Sequence, residues 1–393
     1  MADAIGRLWW RDDSGAGAWD LAPPISGRRL THRLLGGLPG TPVDTFVSAI
    51  GPAPGTTSYP TTVEGMTFAP DADRAPASVG EWRIREQLRR LWDEGEDPLA
   101  LLRDEARRLG MAFWLSGPVT AAAEAAERYE PEGWLTSDVG DPLVAREALP
   151  PAVALAARVD GRSVDRESVS AVDVVLVSAG GDVAAWAAAA AGTELRVVAE
   201  IDAAQESLAP ERSRALAATG WAAGADGLCL TCFESAARFG DDSARVVHDL
   251  QSPLRLQHLD KRYAASLPAP MVIGPDVSSN EIEVVDDVAA AGARVADIRL
   301  VVAVHQIAAA DELAVSLNGA SLPPPASAND GELVYELDAA HRPTPGANRF
   351  GVAADRAEPL AHLPLLMTAA KLEVTYHYPD GAWRHPPSFD PRT

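Results

Sequence analysis

Three carboxylates in this sequence are candidates for a catalytic site. Glu200 and Asp202 end the apolar run LRVVAEID, and Glu234 follows the run DGLCLTCF. Glycoside hydrolysis uses two carboxylates, one as a proton donor and the other as a base or nucleophile. We therefore take Glu200, Asp202 and Glu234 as candidate catalytic residues. The alternative for each is a helix-capping or solvated acid, because acids are plentiful in this chain.

The two apolar runs are predicted to be strands that a helix connects. Between them, Ser207 is a candidate N-cap, Pro210 and Glu211 suit a first helical turn, and Gly224 suits a stop. A strand–helix–strand unit implies parallel strands. Acids that follow parallel strands lie where α/β barrel enzymes carry their active sites. The unit therefore predicts a TIM barrel with the carboxylates at its mouth.

Other apolar runs repeat this pattern along the chain. Helical periodicity is clear over 80–109, and a closed barrel needs eight strands. Only about seven are visible, so the pattern predicts either a degenerate unit within 118–170 or an overlooked strand. Besides the two runs described above, the candidate strands are 43–51, 111–117, 133–141, 153–160 and 172–181. We predict 43–51 to be the first strand of the barrel.

From about residue 264 the sequence changes to short strand-like runs separated by turns. Alternation of apolar and polar residues is clear in LEVTYHY and ELVYEL, and Asn318–Gly319 is a strong hairpin-turn signal. These features predict a C-terminal β-sandwich of jelly-roll type. The predicted fold class is α/β plus all-β. It consists of a (β/α)8-type TIM barrel, complete or one unit short, followed by a C-terminal β-sandwich. The predicted segments are 1–40, an irregular lead-in with room for one strand at the apolar cluster Leu8–Trp10; 41–263, the barrel; and 268–388, the sandwich.

Several aromatic residues could form sugar-binding surfaces around the mouth. Trp114 and Trp134 stand near the ends of predicted strands, and Tyr59 stands in the long loop after the first. Aromatic rings suit the apolar face of a pyranose, although core packing is the competing interpretation for each ring. Glu64 in the same loop is a candidate substrate contact, with simple solvent exposure as the alternative.

Composition narrows the classes of partner and cofactor. A net charge of −22 argues against nucleic acid and against anionic membrane surfaces as partners. Cys229 and Cys232 are three apart in an apparent strand, which points them to opposite faces and favours buried core cysteines over a redox or zinc motif. The histidines have no metal-ligand spacing, so we expect no metal and no cofactor. No secretory leader is visible, and the default expectation is a cytoplasmic protein.

Several motifs together resemble a group of bacterial glycoside-hydrolase-like proteins, in which a TIM barrel precedes a small β-sandwich. The motifs are PGTPVDTFVSAIG, EGEDPLALLRDEARRLGMAFWLS, GWAAGADGLCLTCFE and HLDKRYAASLP. The resemblance covers most of the chain and implies a carbohydrate ligand. The chain departs from that group after the second strand, where SGPVT replaces an Arg-Met-Asn-Asp-like segment. A mid-barrel strand ending in Glu-Leu-Asp-Phe also has no counterpart between Gly117 and Val172.

Three hypotheses follow for the function. The first is a carbohydrate-active hydrolase that uses paired carboxylates at the barrel mouth. The second, which the missing mid-barrel motif favours, is a non-catalytic relative that binds a carbohydrate or a protein. The third is an assembly protein whose sandwich forms a homo-oligomer.

Overall fold

A computed structural model of the chain describes residues 6–12, 24–73, 75–76, 78–136, 142–159, 171–179, 181–203, 209–233, 246–265, 267, 270–305, 307, 312–329, 331–355 and 365–377. The chain divides into two compact units, Met1–Ser252 and Pro253–Thr393. The first unit is an α/β barrel, and the second consists of antiparallel sheets. This architecture confirms the predicted fold class.

Parallel strands close the barrel of the first unit. The barrel has the spatial order β1-β10-β9-β8-β7-β6-β5-β2, and β3 and β4 form a separate pair. The strands are β1 (Leu8–Arg11), β2 (Thr45–Ala49), β3 (Thr56–Thr57), β4 (Thr67–Phe68), β5 (Ala112–Ser116), β6 (Gly133–Thr136), β7 (Ala154–Val159), β8 (Val174–Ser178), β9 (Arg196–Asp202) and β10 (Gly227–Thr231).

The helices of the first unit begin and end at residues with clear local causes. Asp97 caps one of them by accepting hydrogen bonds from the amides of Leu99 and Ala100. The helix predicted after Ser207 begins at Pro210 with Ala209 before it, and Ser207 lies outside the described residues. Gly224, at φ +91°, follows its end as expected. The described helices are α1 (Gly27–Leu35), α2 (Val79–Asp93), α3 (Pro98–Arg108), α4 (Ala122–Tyr129), α5 (Pro142–Ala148), α6 (Val183–Ala190), α7 (Pro210–Ala222) and α8 (Val247–Leu250).

The eighth barrel strand is β1, which lies within the predicted lead-in, so the predicted barrel domain began too late in the chain. Leu8–Arg11 pairs in parallel with both β10 and β2, so it closes the barrel. The predicted first strand is therefore the second. Residues 118–170, suspected of holding a degenerate unit, contain the regular strands β6 and β7. The sequence signal of β1 is weak because LWWR has only four residues and no helical pattern precedes it.

Acidic side chains fasten the N-terminal ends of the barrel strands in a repeating arrangement. One acid lies just before each of the strands β2, β6, β8 and β10. It accepts a hydrogen bond from a backbone amide at the start of the preceding barrel strand. Asp173 accepts from the Leu155 amide at 2.8 Å, for example. The same contact joins Asp44 to the amides of Arg7 and Leu8, Glu132 to Phe113, and Asp226 to Val197. These acids satisfy backbone donors at the strand ends.

The barrel interior is a packed apolar core and not a channel. Its largest members are Trp9 and Trp114, whose ring centroids lie 4.5 Å apart. Gly133 makes room for them, because a Cβ at that position would lie only 2.2 Å from the Trp114 indole. The buried interior cluster is Trp9, Val47, Trp114, Leu135, Ala154, Ala156, Val174, Leu176, Val198 and Cys229.

The second unit contains two antiparallel sheets. The first has the order β11-β20-β14-β18-β17, with β12 paired to β20, and the second has the order β13-β19-β15-β16. Alternate residues of β20 are buried, which is typical of a sheet with one face on a core. Asn318 and Gly319, at φ +52° and +84°, make the predicted turn. The strands are β11 (Lys261–Ala264), β12 (Met271–Ile273), β13 (Ser278–Val284), β14 (Val295–His305), β15 (Glu312–Leu317), β16 (Ala320–Ser321), β17 (Ser327–Asn329), β18 (Glu332–Glu336), β19 (Gly346–Asp355) and β20 (Leu365–Tyr376), with short helices α9 (Pro253–Leu256) and α10 (Val288–Ala291).

Among the helices described in both units, none combines the length and the apolar character that a membrane crossing requires.

Candidate functional site

Glu200 is the centre of a closed polar cluster at the C-terminal end of the barrel. Its side chain is 1% exposed and lies between two arginines. Oε1 accepts hydrogen bonds from Arg11 Nη1 at 3.0 Å and from Thr231 Oγ1 at 2.9 Å. Oε2 accepts from Arg158 Nε at 2.6 Å. Both oxygens of the strongest carboxylate candidate are therefore held by groups of the protein itself.

Three different strands bring these donors to Glu200. Arg11 ends β1, Arg158 lies near the end of β7, and Thr231 ends β10, beside the strand that carries Glu200. Thr231 stands directly opposite Asp202 in the register of β10 and β9. Alternation along each strand turns these side chains to the same side as the interior residues Trp9, Ala156 and Cys229.

Sequence reasoning missed Arg11, Arg158 and Thr231 as members of the site. A signal was present for the two arginines, because each is a lone charged residue at the end of an apolar run, LWWR and ALAAR. Arg11 could not be assigned to the site because β1 was not recognised as a barrel strand. One sequence also does not show that Arg158 reaches Glu200 across the strand between them. The side chains of Arg11 and Arg158 are 17% and 27% exposed, so solvent reaches the cluster from their side.

Asp202 and two serines complete the polar ring around the cluster. Asp202 is half-buried, has the same strand parity as Glu200 and ends β9. Ser178 is exposed and stands opposite Glu200 in the register of β8 and β9. Ser116, which is buried, ends β5. The described part of the mouth thus presents two guanidiniums, two carboxylates and hydroxyl groups.

The third predicted catalytic acid, Glu234, lies outside the described residues. Among the described residues, the structure brings the candidates Glu200 and Asp202 together on one strand.

The predicted sugar-binding tryptophans have no exposed ring face. Trp114 is fully buried in the barrel interior against Trp9. Trp134 is also fully buried, on the opposite side of β6 from the interior residue Leu135. Burial of these rings corresponds to the core-packing interpretation, because large aromatic side chains supply much of the apolar area of a core.

Tyr59 is also buried, and only Glu64 of the two loop candidates reaches solvent. Tyr59 packs edge-on against Tyr129, with ring centroids 5.4 Å apart, and the guanidinium of Arg128 lies 5.4 Å from its ring. Glu124 Oε2 fixes the loop further by accepting hydrogen bonds from the amide and hydroxyl of Thr62, at 3.0 and 2.8 Å. Glu64 lies in an exposed turn of the same loop.

Cys229 lies in the interior beneath the Glu200 cluster. It is fully buried, and this burial raises the pKa of its thiol to about 12. A thiol with so high a pKa forms little of the reactive thiolate at neutral pH. Cys229 is therefore a core residue, as the sequence predicted.

Comparison with known proteins gives only structural matches of low identity and low TM-score. The sequence matches no protein-family model and no curated protein sequence. Thiamine phosphate pyrophosphorylase from Pyrococcus furiosus is 13% identical, with 63% of this chain and 97% of that chain covered and a TM-score of 0.35. A spore coat polysaccharide biosynthesis protein E from Chromobacterium violaceum is 12% identical, with 69% and 86% covered and a TM-score of 0.39. A BuGH86 complex with neoagarooctaose is 13% identical, with 30% and 19% covered and a TM-score of 0.23. These neighbours differ in function, and the similarities do not select one.

Proposed function

We propose that the protein binds a neutral carbohydrate at the barrel mouth and does not hydrolyse it. The observation that carries this proposal is the closed hydrogen bonding of Glu200. A catalytic carboxylate must direct a proton or a lone pair at the substrate. Both oxygens of Glu200 are directed instead at Arg11, Thr231 and Arg158.

The chemistry of the ring supports a carbohydrate as the ligand. The two guanidiniums and two carboxylates of the described mouth have formal charges that cancel, so this set does not select an ion. Sugar hydroxyls both donate and accept hydrogen bonds, and the ring offers donors on Arg11 and Arg158, acceptors on Asp202, and hydroxyls that do both. Glu200 acts through the arginines, because it fixes the orientation of their remaining N–H groups. The sequence resemblance to glycoside-hydrolase-like proteins points to the same class of ligand.

Affinity gel electrophoresis tests the binding. Wild-type protein is run through gels containing starch, xylan, mixed-linkage β-glucan or agarose, beside Asp202→Asn. We expect retardation in at least one gel and about tenfold weaker binding for Asp202→Asn, since a hydrogen bond to a charged group contributes roughly 1.5–3 kcal/mol.

Asp226→Asn is the matched control. It makes the same change of acid to amide in the same barrel, at the opposite ends of the strands, where Asp226 accepts from the Val197 amide. Absence of retardation in every gel, or an equal loss in the two variants, would refute the proposal.

A further inference from the structure

The exposed face of α1 carries a concentrated positive charge. Arg28, Arg29 and His32 are exposed and Arg33 is half-buried, and α1 contains no acidic residue. The opposite face of the helix is apolar and buried, through Leu30, Leu34 and Leu35. The basic side chains thus cover one continuous side of a helix in a chain of net charge −22.

Most described arginines on the other barrel helices have acidic partners, and Arg28 and Arg29 of α1 differ from them. Arg85, for example, pairs with Glu81 at 2.7 Å, and Arg108 pairs with Glu105 at 2.6 Å. Within the described residues, by contrast, Arg28, Arg29 and His32 have no ion pair; Arg29 donates only to the Pro24 carbonyl at 3.2 Å.

The spacing of these residues concentrates the charge further. Arg28 and His32 are four apart, as are Arg29 and Arg33, so basic side chains are neighbours on the helix surface. The first turn of a helix already has a partial positive charge, which makes Arg28 and Arg29 unfavourable there. The amide of Gly27 donates to Glu96 Oε2 at 2.7 Å, but among the described residues no ion pair joins that carboxylate to Arg28 or Arg29. An anion bound to this face would relieve the repulsion.

A depression that is partly open to solvent lies against the same face, and the described residues that line it are Arg28, Arg29, His32 and Arg33. The planar guanidinium group binds phosphate through two parallel hydrogen bonds, which suits a multiply charged oxyanion.

We propose that Arg28, Arg29, His32 and Arg33 form a binding site for a small phosphate-bearing ligand. This site is separate from the Glu200 cluster, and the proposal does not depend on the proposed function. It is a binding site only, and no chemical step is assigned to it.

Calorimetric titration of the full chain with inorganic pyrophosphate at low salt tests the site. We expect saturable binding that weakens as salt is added, because salt screens exposed charges. Arg28→Gln/Arg29→Gln should weaken the binding about tenfold or more, since two charge-assisted contacts are removed. Glutamine has a helix propensity close to that of arginine, so α1 should persist, and circular dichroism checks this.

Arg83→Gln is the matched control, because Arg83 is an exposed arginine on α2 with no ion pair among the described residues. Its binding of pyrophosphate should equal that of the wild type. A second titration with dextran sulfate distinguishes a site for a small ligand from a surface that binds anionic polymers. No saturable binding of pyrophosphate, equal losses in both variants, or binding of dextran sulfate alone would overturn the proposal.

Discussion

Replacing Glu200 with glutamine should destabilise the barrel strongly. The substitution keeps the shape of the side chain but removes its charge and one of its two acceptor oxygens. The NH2 group that replaces one oxygen must then point at Arg158 Nε or at Arg11 Nη1, both of which are also donors. Removing one partner of a buried ion pair costs about 3–5 kcal/mol. The side chains of Arg11 and Arg158 are 17% and 27% exposed, so water can reach them. We therefore expect a destabilisation at the lower end of this range, about 3 kcal/mol.

Equilibrium unfolding in urea, followed by tryptophan fluorescence, measures this cost. The reporter is suitable because Trp9 and Trp114 lie in the barrel interior. Asp202→Asn is the control; it changes a half-buried acid at the rim, and we expect a loss below about 1 kcal/mol. A double-mutant cycle with Arg158→Gln should give a coupling energy of about 1–3 kcal/mol. If Glu200→Gln costs less than about 1 kcal/mol, the cluster does not hold the mouth together and the reasoning fails.

Three further predictions concern other parts of the chain. Gly133→Ala should cost about 1–3 kcal/mol in urea unfolding, because its Cβ would overlap the Trp114 indole, whereas Gly37→Ala, with no atom within 4 Å of its Cβ, should cost far less. Cys229 should resist alkylation at pH 8 until the protein unfolds, because burial raises its pKa to about 12; rapid labelling of its peptide in native protein would contradict this. Burial lowers the pKa of His258, so the unfolded chain binds that proton more tightly and stability should fall as pH drops below about 6.5. His258→Asn, which tolerates the positive φ there, should flatten this pH dependence, and an unchanged slope would refute the assignment.

The fold was largely predictable because parallel barrel strands are buried on both sides and appear as apolar runs. The short strand β1 was the exception. Four residues give too few positions for a pattern, and only pairing with β10 and β2 shows that LWWR closes the barrel.

The candidate site was less predictable, because its members come from distant parts of the chain. Glu200 was found from its place at the end of a strand, but its partners Arg11 and Arg158 are 189 and 42 residues away in sequence. Strand parity correctly grouped Glu200 with Asp202. Parity and position could not show that Tyr59 is buried, since its contact with Tyr129 depends on the path of a long loop.

Measuring the release of reducing ends from polysaccharide shows whether the mouth binds carbohydrate without hydrolysing it. Purified wild-type protein is incubated with each polysaccharide that retards it in the gel, and reducing ends are measured over time. We predict no release above the blank. Steady release that Asp202→Asn abolishes, while the variant remains folded, would contradict the claim and identify the mouth as a hydrolase site.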